Sequence, residues 1–262
     1  MIENASPDPT YRSVARTIEA QIMSGTLVVG QRLLSETAIA AHFGVNRSTV
    51  REAIRMLEQN GLVRRTNGGK HLFVSVPERA QLASRAAAAI VLHEMRFEEL
   101  WSAMHCLEPA IAATAAQQAP PDIVAALDAN LSETRECLND WPRLVVLDIE
   151  FHDLIARGSG NRALQLCREP ISQLFYPAFA KVITGLNAGQ RLLTAHSRII
   201  EAIRSRDVAE ARIWMEKHIV DFRRGYELAA LDMMAPVVWP DKDILRKAQT
   251  QTVTAGRNGR RS

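Results

Sequence analysis

Two short helical patterns joined by one glycine constrain the fold of this chain more than any other feature. Ser35 is a suitable N-cap for the first pattern, and Glu36 follows it in the first turn. Gly44 permits a sharp turn, after which Asn46 can cap the second pattern. The apolar residues of both patterns recur at helical spacing, and they are Ile39, Ala40, Phe43, Val50, Ala53, Ile54 and Leu57. Two helices that cross over a tight turn form a helix-turn-helix.

The segments on either side complete a small domain. Upstream, apolar residues recur at helical spacing between Tyr11 and Ile22, and the Ser24-Gly25 pair ends that helix. Downstream, two apolar runs flank a glycine-rich turn at Thr66–Lys70, which is typical of a β-hairpin. Glycines in such a turn let the backbone approach a phosphate or enter the minor groove. We therefore expect a winged helix-turn-helix over residues 10–76.

Three arginines lie along the outer face of the second helix of this motif. Arg47, Arg51 and Arg55 follow one another four residues apart, on the side away from the apolar residues. Ser48 and Thr49 lie beside them. By itself such a stripe would be explained by a solvated helix face. On the second helix of a helix-turn-helix, next to a basic wing, it predicts recognition of the DNA major groove.

The net charge of +3 is unevenly distributed along the chain. Residues 1–9 carry −2, residues 10–76 carry +5, residues 77–235 carry −4, and residues 236–262 carry +4. A basic first domain attached to an acidic second one is typical of a modular nucleic-acid binder, although differences of this size also arise by chance. The last segment is polar and basic, and we expect it to be a largely disordered tail.

The sequence also indicates the cellular compartment in which the protein is expected. No run of about 18 apolar residues is present, so no membrane span is expected. The N-terminal residues lack the basic and then apolar pattern of a secretion signal. The three cysteines, Cys106, Cys137 and Cys167, are widely spaced and form no CxxC motif, which is typical of reduced thiols. These features together predict a cytoplasmic protein.

Residues 77–235 contain one helical pattern after another and no convincing strand. Breaks at Pro120-Pro121, Gly158–Gly160 and Gly185 separate the patterns, which number six or seven. The expected fold class is therefore mainly α. It combines an N-terminal winged helix-turn-helix, made of three helices and a small β-hairpin, with an all-α bundle of six or seven helices.

Four side chains in the bundle have the chemistry of metal ligands. Asp148 and His152 stand four residues apart, so one helix presents a carboxylate and an imidazole on the same side. His196 and His218 lie on two later helices. If these three helices line one cavity, the donors suit Zn²⁺, Ni²⁺, Mn²⁺ or Fe²⁺. The alternative is that each is an ordinary surface or core histidine, as we expect of His93 and His105.

The helix-turn-helix resembles the GntR family of bacterial transcription regulators. The family pattern "SE..a..fgvsR..vREa...L...Glv" is similar to SETAIAAHFGVNRSTVREAIRMLEQNGLV here. The resemblance implies that Arg47 and Arg51 contact bases or phosphates, and that Asn67-Gly68 meet DNA at the wing tip. It also implies that Asn46, Ser48 and Thr49 help to position the DNA backbone. Two departures from the pattern are Leu34, where proline is frequent, and Thr37, where some relatives have a DNA-contacting arginine.

The bundle resembles the FCD domain, the effector-binding domain of the FadR subfamily within GntR. Matching residues occur in order from Asp148-x3-His152 through Ser159-Gly160-Asn161 and His196 to His218. The resemblance implies that Asp148, His152, His196 and His218 bind a divalent metal beneath a small-molecule cavity. Many such domains grip an organic acid with an arginine at the position occupied here by Met104. A carboxylate effector would then depend more on the metal, or the effector is less acidic; Met104 could equally be core packing.

These features predict a homodimeric, metabolite-responsive transcription regulator that binds a pseudo-palindromic operator, more often as a repressor than as an activator. One alternative is a metal-dependent enzyme that uses the three histidines and the aspartate, although no motif places a general base beside them. Another alternative is a direct metal sensor in which the ion is the signal. Repression and activation both remain open at this stage.

Overall fold

The computed structural model describes residues 10–66, 71–186 and 188–239. Within them the chain forms ten helices and one two-stranded sheet. Their order is α1 (Tyr11–Met23), α2 (Glu36–Phe43), α3 (Arg47–Gln59), β1 (Val63–Arg65), β2 (Leu72–Val74), α4 (Arg79–Leu92), α5 (Phe97–Gln118), α6 (Pro121–Glu136), α7 (Trp141–Gly158), α8 (Arg162–Leu186), α9 (Gly189–Arg204) and α10 (Val208–Leu228). The structure is mainly helical, as predicted. No helix in the described ranges is long and apolar enough to cross a membrane.

The chain divides into two compact units between Leu82 and Ala83. The sequence placed the boundary at residues 76 and 77, a few residues earlier. Two predicted features fall outside the described residues. One is the wing tip at Asn67-Gly68, and the other is the tail from residue 240 onward.

The first unit is a winged helix. Helices α1, α2 and α3 pack on a shared apolar core, and the antiparallel strands β1 and β2 pair Val63 with Val74 and Arg65 with Leu72. Residue Gly44 ends α2 with φ of +65°, a left-handed conformation that glycine adopts without strain. The core residues are Val14, Ala15, Ile18, Leu33, Ile39, Ala40, Val50, Ala53, Ile54, Leu57, Leu62, Val63, Leu72 and Val74.

The two predicted caps of the helix-turn-helix differ in the structure. The Ser35 side chain accepts a hydrogen bond from the Ala38 amide and caps α2, as expected. Asn46 occupies the N-cap position of α3 with an extended backbone, but its side chain makes no capping hydrogen bond. The position of the cap is therefore right, while the predicted side-chain contact is missing.

The second unit is a helical bundle that contains, among the described residues, most of α4 and the whole of α5 to α10. Helix α10 packs along α5 and α9, while α7 lies against α5, α6 and α8. Two apolar clusters fill the interior. One centres on Phe151, Ile199 and Met215; in the other, the rings of Phe97 and Tyr226 stack with their centroids 4.3 Å apart. Buried polar side chains lie between the helices that meet at α7.

Candidate functional site

Helix α3 presents the predicted DNA-contacting residues to solvent. Asn46, Arg47 and Ser48 are exposed, Thr49 is half-buried, and 64% of the Arg51 side chain is accessible. The opposite face of the helix is almost completely buried in the core of the unit. The helix is thus anchored on one side and free on the other, which is the arrangement that insertion into a groove requires.

Further cations surround this helix. Arg12 and Arg16 on α1 and Arg55 on α3 line an open groove of about 520 Å³. Arg65 of the hairpin donates to Glu36 over 2.8 Å and lies 3.0 Å from Glu58, and the hydrogen bond to Glu36 raises the pKa of Arg65. Arg65 therefore ties the hairpin to α2 and α3, while the other arginines give this part of the unit its positive charge.

The second unit brings the four predicted metal-ligating side chains together. Asp148 and His152 come from α7, His196 from α9 and His218 from α10. The Asp148 Oδ1 atom lies 3.2 Å from Nε2 of His196, 3.7 Å from Nε2 of His218 and 4.0 Å from Nε2 of His152. The Nε2 atoms of His152 and His218 are 3.2 Å apart. One ligand atom each of Asp148, His196 and His218 lies within 4.8 Å of the other two, and His152 approaches this group beside Asp148 and His218.

The donors of Asp148, His196 and His218 fit a divalent metal ion, and His152 lies next to them. Ligands bound about 2.1 Å from a tetrahedral ion lie about 3.4 Å from one another, close to the separations found here. All four side chains are buried. The Oδ1 atom of Asp148 and both ring nitrogens of His196 have no hydrogen-bond partner among the described residues, although such buried atoms usually have one. An ion would supply the missing partner for Oδ1 and for His196 Nε2.

Burial governs the protonation of these ligand candidates. Desolvation lowers the pKa of His196 well below its usual value and lowers that of His218 to about 3, so both imidazoles are neutral near pH 7. Burial also raises the pKa of Asp148, against the opposing pull of His152 and His218. Neutral imidazoles are the form in which histidine binds metals.

Sequence reasoning missed two buried charges beside this cluster. Glu108 on α5 is fully buried, and its carboxylate contacts His152 and Arg168. Burial alone would raise the pKa of Glu108, but its contacts with His152 and Arg168 lower it to about 2. Contact with Glu108 in turn raises the pKa of His152 against the effect of burial. No local sequence pattern singles out Glu108 or connects it with Arg168.

The remaining candidates of the second unit lie outside the cluster. His105 is 3.8 Å from Glu216 and stacks on Trp101, and His93 is exposed. Met104 is only 4% exposed and belongs to the apolar cluster around Phe97 and Phe175. Core packing is therefore the role of Met104 in this structure.

A small cavity of about 30 Å³ lies next to the cluster. His218 forms part of its wall, and Phe179 and Phe222 contribute aromatic rings. Arg191 and Asp221 also line it and form an ion pair over 3.1 Å. Its volume accommodates about one water molecule, so a larger ligand would require the cavity to widen.

Comparison with known proteins agrees with this architecture. Residues 10–71 match the family described as bacterial regulatory proteins, gntR family, and residues 99–221 match the FCD domain. The Exu regulon transcriptional regulator of Escherichia coli (strain K12) is 28% identical over 232 residues, which cover 83% of this chain and 84% of that protein. The HTH-type transcriptional repressor NanR of Cronobacter sakazakii is 27% identical over 226 residues, 79% of this chain and 81% of that protein.

A solved structure has the same fold. Streptococcus agalactiae GntR superposes with a TM-score of 0.54 at 24% sequence identity and covers 82% of this chain and 99% of that one. The matched families and relatives are transcriptional regulators rather than enzymes, so the alternative interpretation as an enzyme is not supported. With a gntR-type helix-turn-helix followed by an FCD domain, this chain belongs to the GntR family of bacterial transcription regulators.

Proposed function

We propose that this regulator is a homodimeric repressor whose hold on a pseudo-palindromic operator is controlled by a small molecule bound beside a divalent metal. The observation that carries the proposal is that one chain contains two candidate binding sites. One is the exposed basic face of α3, and the other is the buried cluster of Asp148, His152, His196 and His218. A repressor role is supported by the relative NanR, which is named as a repressor.

The operator contact is assigned to the start of α3. Arg47 and Arg51 are one helical turn apart on the exposed face, so both can reach base edges in one major groove. Their guanidinium groups can pair bidentately with guanine O6 and N7. Asn46, Ser48 and Thr49 lie at the N-terminus of the helix, where short polar side chains and free amides suit a backbone phosphate.

Arginine substitutions test this assignment. The operator is first selected from random DNA duplexes with the full-length chain. Arg47→Ala and Arg51→Ala should each weaken binding about 10- to 100-fold, because one lost base contact costs about 1–3 kcal/mol. Binding is measured by fluorescence anisotropy at a fixed salt concentration, since phosphate contacts depend on salt. The matched control is Arg212→Ala, an exposed arginine of the second unit. Unchanged affinity in both α3 variants would rule out α3 as the recognition helix.

The metal would be held by Oδ1 of Asp148 and Nε2 of the three histidines. Zn²⁺, Ni²⁺, Mn²⁺ and Fe²⁺ all accept this combination of nitrogen and oxygen donors. A bound ion would supply a Lewis-acidic point that holds an oxygen of the effector, and an organic acid is the class best suited to it. The chain itself supplies neutral imidazoles at His196 and His218 and excludes water by burying all four side chains.

Histidine substitutions test the metal site. His196→Ala should lower the metal content of the purified protein by tenfold or more, because a ligand buried at the centre of the cluster is removed. Metal content is measured by elemental analysis after dialysis against a defined ion. His105→Ala serves as the control, since His105 lies in the same unit but outside the cluster. Full metal retention by His196→Ala would refute the site.

Control by a small molecule is supported by the position of the cavity next to His218, which would have to widen to admit an effector. An effector that binds one arrangement of the dimer more tightly than the other shifts the population between DNA-competent and DNA-incompetent forms. A thermal-shift screen of small organic acids and sugars, with and without chelator, identifies compounds that bind. A true effector should also release the selected operator. Release that persists unchanged in chelator would separate the effector from the metal.

A further inference from the structure

The buried carboxylate of Glu108 occupies an unusual position between three helices. It comes from α5 and faces His152 on α7 and Arg168 on α8. Its Oε2 atom lies 2.9 Å from Nδ1 of His152, and its Oε1 atom accepts a hydrogen bond from Nε of Arg168 over 2.6 Å. Glu108 is 0% exposed, so both oxygens are committed to these partners rather than to water.

The contact with Glu108 determines which ring nitrogen of His152 can serve as a ligand. An ionised carboxylate only accepts hydrogen bonds, so the hydrogen between Glu108 and His152 belongs to Nδ1 of the imidazole. A ring that binds a metal is neutral, and with its hydrogen on Nδ1 the lone pair is on Nε2. That atom is the one directed at Asp148 Oδ1 and His218 Nε2, at 4.0 and 3.2 Å. Orientation and tautomer therefore agree with metal binding through Nε2.

Arg168 provides the positive charge that a buried carboxylate requires. Its side chain is 4% exposed and also donates to Asp153 on the neighbouring helix. A buried charge without a partner is costly, whereas a hydrogen-bonded pair is tolerated. The guanidinium thus holds Glu108 through the carboxylate oxygen that does not face His152. Three helices contribute to this arrangement, and neither Glu108 nor Arg168 is a candidate metal ligand.

We propose that Glu108, braced by Arg168, is the positioning residue that orients His152 and fixes its Nδ1–H tautomer for metal binding. This inference depends on the proposed metal site. Glu108 does not touch the metal in this assignment and acts only through His152. Outer partners of this kind commonly contribute 10- to 100-fold to metal affinity.

A pair of amide substitutions tests the proposal. In Glu108→Gln the shape is kept, but one amide oxygen faces two N–H donors, so one of the two contacts must be lost. Affinity for Zn²⁺, measured by competition with a chromophoric chelator, should fall about 10- to 100-fold. Asp153→Asn is the matched control, because it removes another partner of Arg168 from a half-exposed site without touching His152. Its affinity should stay within about twofold of the unaltered chain.

Nuclear magnetic resonance of the unaltered chain gives an independent readout that needs no variant to fold. In the ¹⁵N-labelled, Zn²⁺-loaded protein, long-range ¹H–¹⁵N correlations should show His152 protonated at Nδ1, with its signal assigned by its absence in His152→Gln. A His152 ring with a bare Nδ1 would overturn the proposal. So would a folded Glu108→Gln protein that binds Zn²⁺ as tightly as the unaltered chain. If the unaltered chain bound no metal, the metal site itself would be refuted, and this result is distinct from the other two.

Discussion

His152 and His196 are held in place by different physical means. The His196 ring stacks on Phe151 with its centroid 3.5 Å away, so apolar packing orients it. His152 is oriented by a hydrogen bond to a buried charge. In the first arrangement neither ring nitrogen of His196 has a hydrogen-bond partner among the described residues, while in the second Nδ1 of His152 is occupied. Two residues of the same type thus approach the same point under different constraints.

Glu108 should make the second unit sensitive to acid. The folded chain lowers the pKa of Glu108 from 4.5 to about 2. The ionised carboxylate is therefore stabilised more in the folded chain than in the unfolded chain. The resulting stability is complete above about pH 4.5 and is lost as the pH falls toward 2. A shift of this size corresponds to a contribution on the order of 3 kcal/mol. Urea unfolding at a series of pH values, in the presence of chelator, measures it.

Glu108→Gln is the control for this pH dependence. Other carboxylates also titrate in this range, so the informative quantity is the difference between the two proteins. The variant should be less stable near pH 7, because Arg168 loses its buried carboxylate, and its stability should fall less between pH 4.5 and 2. Parallel curves for the two proteins would contradict the lowered pKa of Glu108.

At the scale of the element, α3 is defined by its two faces and its first turn. The buried face of Val50, Ala53, Ile54 and Leu57 fixes the rotation of the helix and therefore the direction of its arginines. Capping contributes less to α3 than to α2, because the Asn46 side chain makes no capping bond whereas that of Ser35 does. Packing, rather than the cap, holds the recognition helix.

The two caps form a matched pair for a stability measurement. Ser35→Ala should destabilise the first unit by about 1 kcal/mol, since it removes a hydrogen bond to the Ala38 amide. Asn46→Ala should cost less than about half of that, because no such bond exists. Urea unfolding followed by far-UV circular dichroism reports on both units. Equal losses in the two variants would show that Asn46 caps α3 in solution.

Tryptophan fluorescence separates the two units in this experiment. All four tryptophans, Trp101, Trp141, Trp214 and Trp239, follow Leu82 in the chain. The fluorescence transition therefore reports on the second unit and should not move in either cap variant. A shift in that transition would mean that the substitution acts beyond the first unit.

At the scale of the whole molecule, the geometry of the proposed dimer fixes the spacing between the operator half-sites that it can bind. The two winged helices of the dimer bind two half-sites on one side of the duplex. The centres of the half-sites are about one helical turn, or a multiple of it, apart. Inserting about 5 base pairs between the half-sites places them on opposite sides, and binding should weaken tenfold or more. Inserting about 10 base pairs returns both half-sites to the same side of the duplex and should weaken binding less than the shorter insertion does. Anisotropy titrations of the three duplexes measure the effect.

Sedimentation velocity provides the control for this prediction. The free protein should sediment with twice the 29.1 kDa mass of one chain. Equal binding to all three duplexes, or a monomer that binds a single half-site with full affinity, would contradict the dimeric mode.

Local patterns in the sequence were sufficient for most of the fold. The helices from α1 to α10 follow apolar residues at helical spacing, and Gly44 marks the turn between α2 and α3. These features depend on neighbours within a few residues, and such short-range geometry is nearly independent of the rest of the chain. The same rule placed Asp148 and His152 on one side of α7, because residues four apart share a helix face.

Only the tertiary structure determined which distant side chains meet. The order of helices along the chain leaves open how they pack. Sequence patterns alone therefore could not predict that His196 and His218 meet Asp148, whereas the family resemblance predicted it. Neither source indicated that Glu108 would meet Arg168, 60 positions later on another helix. The burial that lowers the pKa of His218 is likewise a property of packing. The sequence by itself determined the helices and the basic face of α3, whereas packing decided the charges around the candidate metal site.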